Sequence, residues 1–528
     1  MVTRISTAAN NEATVTRMLT LQAQVNAEQQ QLSSGFKSQD YVGISQDAYR
    51  LLNIENQQAR LKSYMANNAG VTTTLQTQLT SVQSINTQAT DIRKELVTLS
   101  GQDFSAKSPS NVSSINDIQR KAFAALSQVS YFLNQKVDGK YVFGGGRSDT
   151  PPVSFPYGSL EEFQQTFDGV GTVFPSSRVA NLTNISFNNV AVTYAAKTVG
   201  TTAYTEVTAP PNSFISSSLG PAGFGTLNFT NVAANGKITS SSPGAFNSIQ
   251  VGQTLLINNA ATSQGGVTDN NGVYTVTAVS PDGRSLTLDQ IVNVGIEPPA
   301  SNVSIGLGVP NGTTMALTGS AAGNNGAKTI TWPTNAQLAA AGYSVNGSPP
   351  DFVDGSKLLI TPPVVSALPE TISLNSTAFL TGANITTNQK ISDTQSIKLD
   401  VTGLDPAFEK VIRGLGVLAQ GDLINNTQRI SQALTFINEG LQHSALQPTE
   451  LPSDLTSVED RLSLNLKTLS ESKDQQNTLL SFLSIRQGDI EQADTTATAV
   501  RLTSDSQSLQ VSYASLAKIQ NLSLLNYL

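Results

Sequence analysis

The sequence contains no cysteine and only one histidine, His443, among its 528 residues. Without cysteine there is no disulfide framework, no thiolate metal ligand and no cysteine nucleophile. A single imidazole cannot form a histidine cluster for zinc, and no serine of the nucleophile-elbow type surrounds it. We therefore predict neither a metal site nor a Ser-His-Asp triad, and we interpret His443 as a polar residue at a helix end.

Charge is also scarce, since Asp, Glu, Lys and Arg make up only 13% of the chain, where about 25% is usual. The formal net charge is −7, which argues against nucleic acid as a partner because phosphate binding depends on Lys and Arg. No apolar run reaches the roughly 18 residues that a membrane-spanning helix needs, so no membrane insertion is predicted. The first residues, MVTRISTAANNEATV, lack the apolar core of a secretory signal. If the protein is extracellular, we expect it to leave the cell without a cleaved signal peptide.

Proline is absent from residues 1–108 and 453–528, and 18 of the 22 prolines fall between residues 151 and 369. Proline inside a helix costs roughly 3 kcal/mol, so both ends are free to form long, uninterrupted helices. Helices at opposite termini can bury apolar stripes only against each other or against other copies of the chain. This arrangement predicts a self-assembling structural protein.

Apolar residues spaced by seven predict a rod of packed helices, for which a core helix of a globular bundle is the alternative. The predicted rod-core residues are Leu75, Val82, Ile85, Ala89, Ile92, Leu96, Leu99, Leu462, Leu466 and Leu469. A second helix is predicted over residues 113–137, after a turn at 100–111. Asp405-Pro406 predicts a helix start that glycines 414 and 416 then weaken, and Thr456 to Glu459 matches a capping box.

Closer to the termini, two further apolar rows predict the surfaces through which copies of the chain pack. The predicted subunit-packing residues are Met18, Val25, Leu32, Leu502, Leu509, Tyr513, Leu516, Ile519 and Leu522. Gly35 and Gly43 break the helical pattern after the first row, and Gly488 interrupts the long final helix. Because isolated amphipathic helices are marginal in water, we expect these outer helices to be mobile in the monomer and ordered on assembly.

Between about Gly144 and Asp400 the chain has short β-type runs separated by Gly, Pro, Asn and Ser. Residues 273–279 and 285–292 form the clearest predicted hairpin, since Asp282-Gly283 supplies the positive φ of its turn. Further strand cores are predicted at 248–258, 327–332 and 356–360. We interpret this region as one or two β domains inserted into the helical rod.

Candidate chemical motifs in this region are weak, and we predict no enzyme, catalytic residue, metal ligand or cofactor site. Gly144 to Arg147 lacks phosphate-loop spacing and predicts a hairpin joint. Thr268 to Gly272 lacks the ligand pattern of a calcium loop and predicts a turn. The pairs Glu161–Glu162 and Asp351–Asp354 contain the carboxylates that a glycosidase uses, but solvated acids are the better interpretation.

Four segments carry a resemblance to a known family: TRISTAAN at 3–10, QQQLSSGFKSQDY at 29–41, DGKYVFGGGRSDTPPV at 138–153, and LQVSYASLAKIQNLSLLNYL at 509–528. In this order and placement they resemble the bacterial flagellin family, which includes the hook–filament junction proteins. The resemblance covers roughly residues 1–150 and 400–528.

The resemblance implies an α+β fold in which long terminal helices form a coiled-coil rod with outward-projecting β-rich domains. An inner terminal-helix domain would use 1–45 with 489–528, and a rod domain 46–145 with 401–488. The outer region, 146–400, would form one β domain or two, about 146–208 with 365–400, and 209–364. Implied partners are copies of the chain in a helical polymer, hook-associated, junction and cap proteins, an export chaperone and the flagellar type III export apparatus. The implied location is the extracellular flagellum.

Within the family, a large projecting insert favours a filament flagellin that serves swimming motility. The alternative is the hook–filament junction protein, hook-associated protein 3, because GKYVFGGG and the ending LSLLNYL look more like that branch. A more remote hypothesis is an adhesin or carbohydrate-active module displayed on a rod.

Overall fold

The structure is a computed structural model in which the chain is mixed α and β. It describes residues 2–182, 184–219, 224–260, 270–297, 303–321, 323–344, 351–365, 369–382, 385–444 and 450–525, with side chains from residue 12 to residue 518. The chain divides into two compact units. We call residues 1–71, 390–396 and 467–528 the terminal unit, and residues 72–389 and 397–466 the central unit.

The structure contains long helices near both ends of the chain and short strands in its middle. The helices are α1 (Val2–Ser34), α2 (Ala48–Ser100), α3 (Pro109–Leu133), α4 (Leu160–Thr166), α5 (Arg178–Leu182), α6 (Asn335–Ala340), α7 (Pro406–Ala419), α8 (Gln428–Leu441), α9 (Leu455–Glu491) and α10 (Thr495–Leu525). The strands are β1 (Lys136–Val137), β2 (Lys140–Tyr141), β3 (Ser186–Val199), β4 (Thr202–Thr208), β5 (Ser217–Leu219), β6 (Leu227–Val232), β7 (Asn235–Ser240), β8 (Thr254–Asn258), β9 (Gly272–Val279), β10 (Ser285–Leu288), β11 (Gly295–Glu297), β12 (Ser304–Gly308), β13 (Thr314–Thr318), β14 (Gly326–Ile330), β15 (Lys357–Thr361), β16 (Glu370–Ser376), β17 (Thr387–Lys390) and β18 (Ser396–Leu399).

In the terminal unit, α1 packs along α10, and a small apolar cluster joins α2 to α9. That cluster contains Leu51, Ile54, Leu483 and Ile490. The residue 391 carbonyl accepts hydrogen bonds from Asn68, 2.9 Å, and Gln476, 2.8 Å, so buried amides tie the β17–β18 turn to both helices.

In the central unit, α7 packs against α3 and α8 and is buried on nearly all sides. Asp405 caps its first turn and Pro406 is its first residue, which confirms the predicted start. The predicted weakening at the glycines was wrong. A Cβ at Gly416 would collide with the ring of Phe174, and one at Gly414 would lie 2.6 Å from Ile437. The glycines therefore permit close packing, and this packing outweighs their low helix propensity.

Other predicted helix limits also need correction. Pro109 is the first residue of α3 and not part of a turn, because the Ser108 side chain accepts a hydrogen bond from the Asn111 amide, 3.2 Å. The helix ends at Leu133, before the predicted limit of 137. Helix α9 begins two residues earlier than the Thr456 capping box predicts, since Asp454 accepts from the Ser457 amide at 2.7 Å. It also continues past Gly488 to Glu491.

The β region contains an antiparallel eight-stranded sheet and a six-stranded closed barrel. The sheet has the order β11-β6-β7-β10-β9-β8-β12-β5, and the barrel has the order β13-β14-β15-β4-β3-β16. Each has its own large apolar core. The predicted hairpin is confirmed as β9–β10, with Gly283 at φ 62°.

Strands and sheets differ from the predicted limits in two respects. Of the predicted strand at 248–258, only residues 254–258 are extended. Strands β13 to β15 belong to the barrel with β3, β4 and β16, although residues 209 and 364 were predicted to separate two domains. The grouping of these sheets into domains stays a prediction.

Candidate assembly surface

The predicted subunit-packing residues lie on α1 and α10, which pack against each other in the terminal unit. Met18 and Val25 are buried, whereas Leu502, Leu509 and Leu516 are half-buried. Leu32 and Tyr513 are exposed, at 40% and 48%. Ile519 and Leu522 lie outside the side chains that the structure describes. The pair thus buries only part of its apolar rows, and their role in assembly stays a prediction.

Other apolar side chains of these two helices, outside the predicted rows, are also exposed. On α1 and α10 these are Val15, Leu19, Val500 and Val511, of which Leu19 is 62% and Val500 66% exposed. Exposed aliphatic side chains that cluster on one unit indicate a surface that binds another molecule. This surface, together with Leu32 and Tyr513, is the candidate assembly surface.

Helix α9 adds a second exposed group, which we call the α9 outer face: Leu479, Phe482 and Ile485. Their exposed fractions are 44%, 52% and 65%, and the guanidinium of Arg486 lies 5.4 Å from the centre of the Phe482 ring. Next to this face on the same helix, Leu483 and Ile490 are buried. The predicted rod-core and subunit-packing rows include none of these residues. The doubled apolar positions at 479–480 and 482–483 were the signal for a helix with two apolar faces.

The predicted rod-core residues are buried with one exception. Leu75, Val82, Ile85, Ala89, Ile92, Leu96 and Leu99 on α2, and Leu462 and Leu469 on α9, are at most 8% exposed. Leu466 is half-buried. Whether these helices form a coiled-coil rod stays a prediction.

Electrostatics at the α1–α10 contact is unfavourable at one position. Glu28 has an oxygen, Oε2, that is buried and finds no hydrogen-bond partner among the described residues. Burial raises the pKa of Glu28, the negative charge of Asp505 raises it further, and Arg501 lowers it. The helix pair is therefore less stable when Glu28 is ionised.

The segment that resembles the flagellin family at 138–153 forms a tight hairpin. Asp138 and Gly139 both have positive φ, 51° and 77°, which a two-residue turn between β1 and β2 requires. Phe143 is fully buried and meets the ring of Phe408 at 5.5 Å, edge to face. Its carbonyl accepts from the Gly403 amide, 2.8 Å, so the hairpin is fixed to the start of α7.

The weaker chemical candidates have structural roles where the structure describes them. Glu162 accepts from the Gly158 amide, 2.8 Å, and Asp354 accepts from the Ser356 amide, 2.9 Å. Asp351 forms an ion pair with Lys357 at 2.6 Å. His443 follows α8 and its Nδ1 lies 2.7 Å from Glu439 Oε2. Residues 268 and 269 of the predicted turn at 268–272 lie outside the described residues.

The described residues contain no group of three or more His, Asp or Glu residues arranged to hold a metal ion. Among the described helices, none has both the length and the hydropathy of a membrane span.

No family model and no curated protein matches the sequence. The chain is similar to solved structures of flagellar proteins. The flagellar junction protein FlgL from Legionella pneumophila is 13% identical, with 80% of this chain and 99% of that chain covered and a TM-score of 0.26. Flagellar hook-associated protein 3 from the same organism is 15% identical, with 85% and 99% covered and a TM-score of 0.24. FlgL from Xanthomonas campestris is 12% identical, with 82% and 99% covered and a TM-score of 0.19.

These solved structures are flagellar junction or hook-associated proteins, the class that the sequence offered as the alternative to filament flagellin.

Proposed function

We propose that the chain is a non-enzymatic structural subunit of the bacterial flagellum that assembles through its terminal helices. One observation carries this proposal: α1 and α10 pair with each other yet leave apolar side chains such as Leu19 and Val500 in solvent. Covering such side chains stabilises by about 25 cal/mol for each Å² of apolar surface. A neighbouring copy that covers them would complete an apolar core that a single chain leaves open.

Within the flagellum we propose the hook–filament junction as the position of this subunit, with filament flagellin as the second candidate. The GKYVFGGG segment and the ending LSLLNYL support the junction. The first of these forms the β1–β2 hairpin whose Phe143 packs on α7. Export through the type III apparatus, an export chaperone, and contacts with other hook-associated and cap proteins belong to the same proposal.

Deletion of Leu509–Leu528 tests assembly, because it removes the second half of α10. We expect a soluble chain with an intact barrel that forms no polymer. Trp332, the only tryptophan, is buried in the barrel core, so its fluorescence reports whether the central unit stays folded. Val232→Ser is the matched control, since Val232 is 56% exposed in the central unit. Normal polymers from the truncated chain would contradict the proposal.

Immunogold labelling of flagella distinguishes the two positions. A single band where hook and filament meet supports the junction subunit, whereas label along the whole filament supports flagellin. Absence of label from flagella of the producing cells would remove both.

A further inference from the structure

The chain leaves α1 and later enters α10 beside one short antiparallel contact, which we call the collar: Gly35, Phe36 and Lys37 beside residues 491–493. The Lys37 amide donates to the Glu491 carbonyl, 2.6 Å, and the Ala493 amide donates to the Gly35 carbonyl, 2.9 Å. Phe36 and Gln492 form an isolated antiparallel bridge between them. Gly35 ends α1 with a φ of 77°, a left-handed conformation that glycine adopts at little cost.

The Lys37 side chain adds a second connection within the collar. Its Nζ donates to the carbonyls of Asp489, 2.6 Å, and Ile490, 2.9 Å. These carbonyls belong to the last turn of α9, where they have no partner inside the helix. A positive charge is also favourable at a helix C-terminus. From the other side, Gln31 of α1 donates to the Lys37 carbonyl, 2.9 Å. Lys37 thus connects the end of α1 to the end of α9.

The collar also sets how α1 and α10 face each other. Continuing the antiparallel register from Phe36 and Gln492, with the same rise per residue in both helices, places Val25 at the level of residue 503 and Met18 at the level of residue 510, each one residue from Leu502 and Leu509.

Apolar packing alone holds this register weakly. On α1, Met18 and Val25 are the only fully buried side chains among those described. A helix pair with so few buried residues can slide by one turn at little cost, because each residue exchanges one half-buried neighbour for another. The hydrogen bonds of the collar, where the two segments of the chain meet, therefore decide the register.

We propose that Lys37 is a positioning residue that fixes the register of the α1–α10 pair, so that both terminal helices reach a neighbouring copy as one surface. This inference rests on the proposed function for its consequence, which is assembly, but not for the register itself. The partner that binds this surface is a second copy of the chain. The α1–α10 pair of that copy is held in the same register by its own collar.

The test compares Lys37→Met, which keeps the unbranched stem but removes the ammonium group, with Lys37→Arg and with Lys62→Met. Lys62 is an exposed lysine on α2 of the same unit and serves as the matched control. The critical concentration for polymerisation is measured for each full-length chain. We expect Lys37→Met to raise it about three- to tenfold, the effect of one or two lost hydrogen bonds. Lys37→Arg and Lys62→Met should stay near the original value.

Register is measured directly by engineered disulfides, since the chain has no cysteine of its own. The pair Val25→Cys with Leu502→Cys reports the register of the collar, and Val25→Cys with Ser506→Cys reports a shift of one turn. In the monomer, we expect the first pair to cross-link efficiently and the second poorly. Adding Lys37→Met should lower the first yield and raise the second, a change that a general loss of stability would not produce.

Unchanged cross-linking yields in Lys37→Met would overturn the inference, whatever the assembly result. Changed yields with an unchanged critical concentration would also overturn it, since register would then not matter for assembly. If no variant polymerises, including the unmodified chain, the proposed function fails while the cross-linking result still decides the role of Lys37 in register.

Discussion

The terminal and central units differ in how they use apolar side chains. In the central unit, the barrel and the eight-stranded sheet each have a large apolar core. Phe352 and Leu317 lie in the barrel core and Phe229 in the sheet core, and all three are fully buried. In the terminal unit, the apolar cluster joining α2 to α9 contains four buried residues, while side chains such as Leu19 and Ile485 are more than half exposed. The central unit is stabilised by contacts within one chain. The terminal unit has only a small core and leaves apolar side chains in solvent, which is the surface we propose for contacts between chains.

The largest effect of a single substitution is expected in the buried charge network of the central unit. Arg413 is 3% exposed, donates to both carboxylate oxygens of Glu450 at 3.0 and 2.7 Å, and pairs with Glu409 at 2.6 Å. Arg413→Met removes the cation that both carboxylates contact most closely and leaves Arg178 at 3.7 Å from Glu409, which costs about 3–5 kcal/mol. Chemical denaturation followed by Trp332 fluorescence measures this loss. A loss below about 1 kcal/mol would show that water reaches the network.

The same network makes the central unit sensitive to acid. Burial alone would raise the pKa of Glu450, but the hydrogen bonds and charge of Arg413 outweigh it and lower that pKa below 4.5. Because the folded-state pKa is depressed, this stabilisation is present above the ordinary glutamate pKa and is lost as pH falls through the folded-state value. Glu450→Gln should remove that part of the acid dependence.

A smaller effect is expected in the barrel core. Leu317 on β13 is fully buried, so Leu317→Ala should lower the free energy of unfolding by about 2–5 kcal/mol and leave assembly of the folded fraction intact. The matched variant is Leu19→Ala on α1, which should change stability by less than about 0.5 kcal/mol and weaken polymerisation. If the two variants exchange these effects, the contrast between the units is wrong.

A substitution in the contact between α1 and α10 should have a smaller effect on stability. Val25 is 6% exposed in a small contact, so Val25→Ala should cost about 1 kcal/mol of local helix pairing. Hydrogen exchange of α1 amides should accelerate by the factor that corresponds to this free-energy cost. Trp332 fluorescence should report an unchanged barrel. Equal acceleration in barrel amides would mean that the two units unfold together.

The smallest effect is electrostatic. Since burial and Asp505 raise the pKa of Glu28, the α1–α10 pair gains stability as pH falls from neutral through the raised pKa, and this gain is complete below 4.5, the ordinary value. Glu28→Gln should abolish this pH dependence. Hydrogen exchange of α1 at pH 7 and pH 5 measures it, and a variant with the same pH response as the original would rule out Glu28 as its source.

Local signals in the sequence predicted local structure well, and packing explains where they failed. The seven-residue row from Leu75 to Leu99 lies on one buried face of α2, and Asp405-Pro406 starts α7 as predicted. The weakening of α7 predicted at Gly414 and Gly416 was wrong, because close packing against Ile437 and Phe174 outweighs the low helix propensity of glycine. The barrel was beyond prediction, since it pairs β4 with β15 across about 150 residues of chain.

The candidate assembly surface was predicted in part for a similar reason. Apolar periodicity identifies a face but does not say whether that face is covered, so Met18 and Tyr513 were grouped together although one is buried and the other exposed. The α9 outer face was missed because the neighbouring row, with Leu483, already satisfied the pattern of a helix with one apolar face. Side-chain exposure, which depends on tertiary packing, distinguishes a covered apolar face of a helix from an exposed one.

The central claim is that the terminal helices gain their stability from neighbouring copies of the chain. Hydrogen exchange of the dilute monomer and of the assembled protein, compared helix by helix, tests it most directly. We predict that α1 and α10 amides exchange much faster than barrel amides in the monomer and become strongly protected on assembly. Protection of α1 and α10 equal to that of the barrel in a dilute, solitary chain would contradict the account.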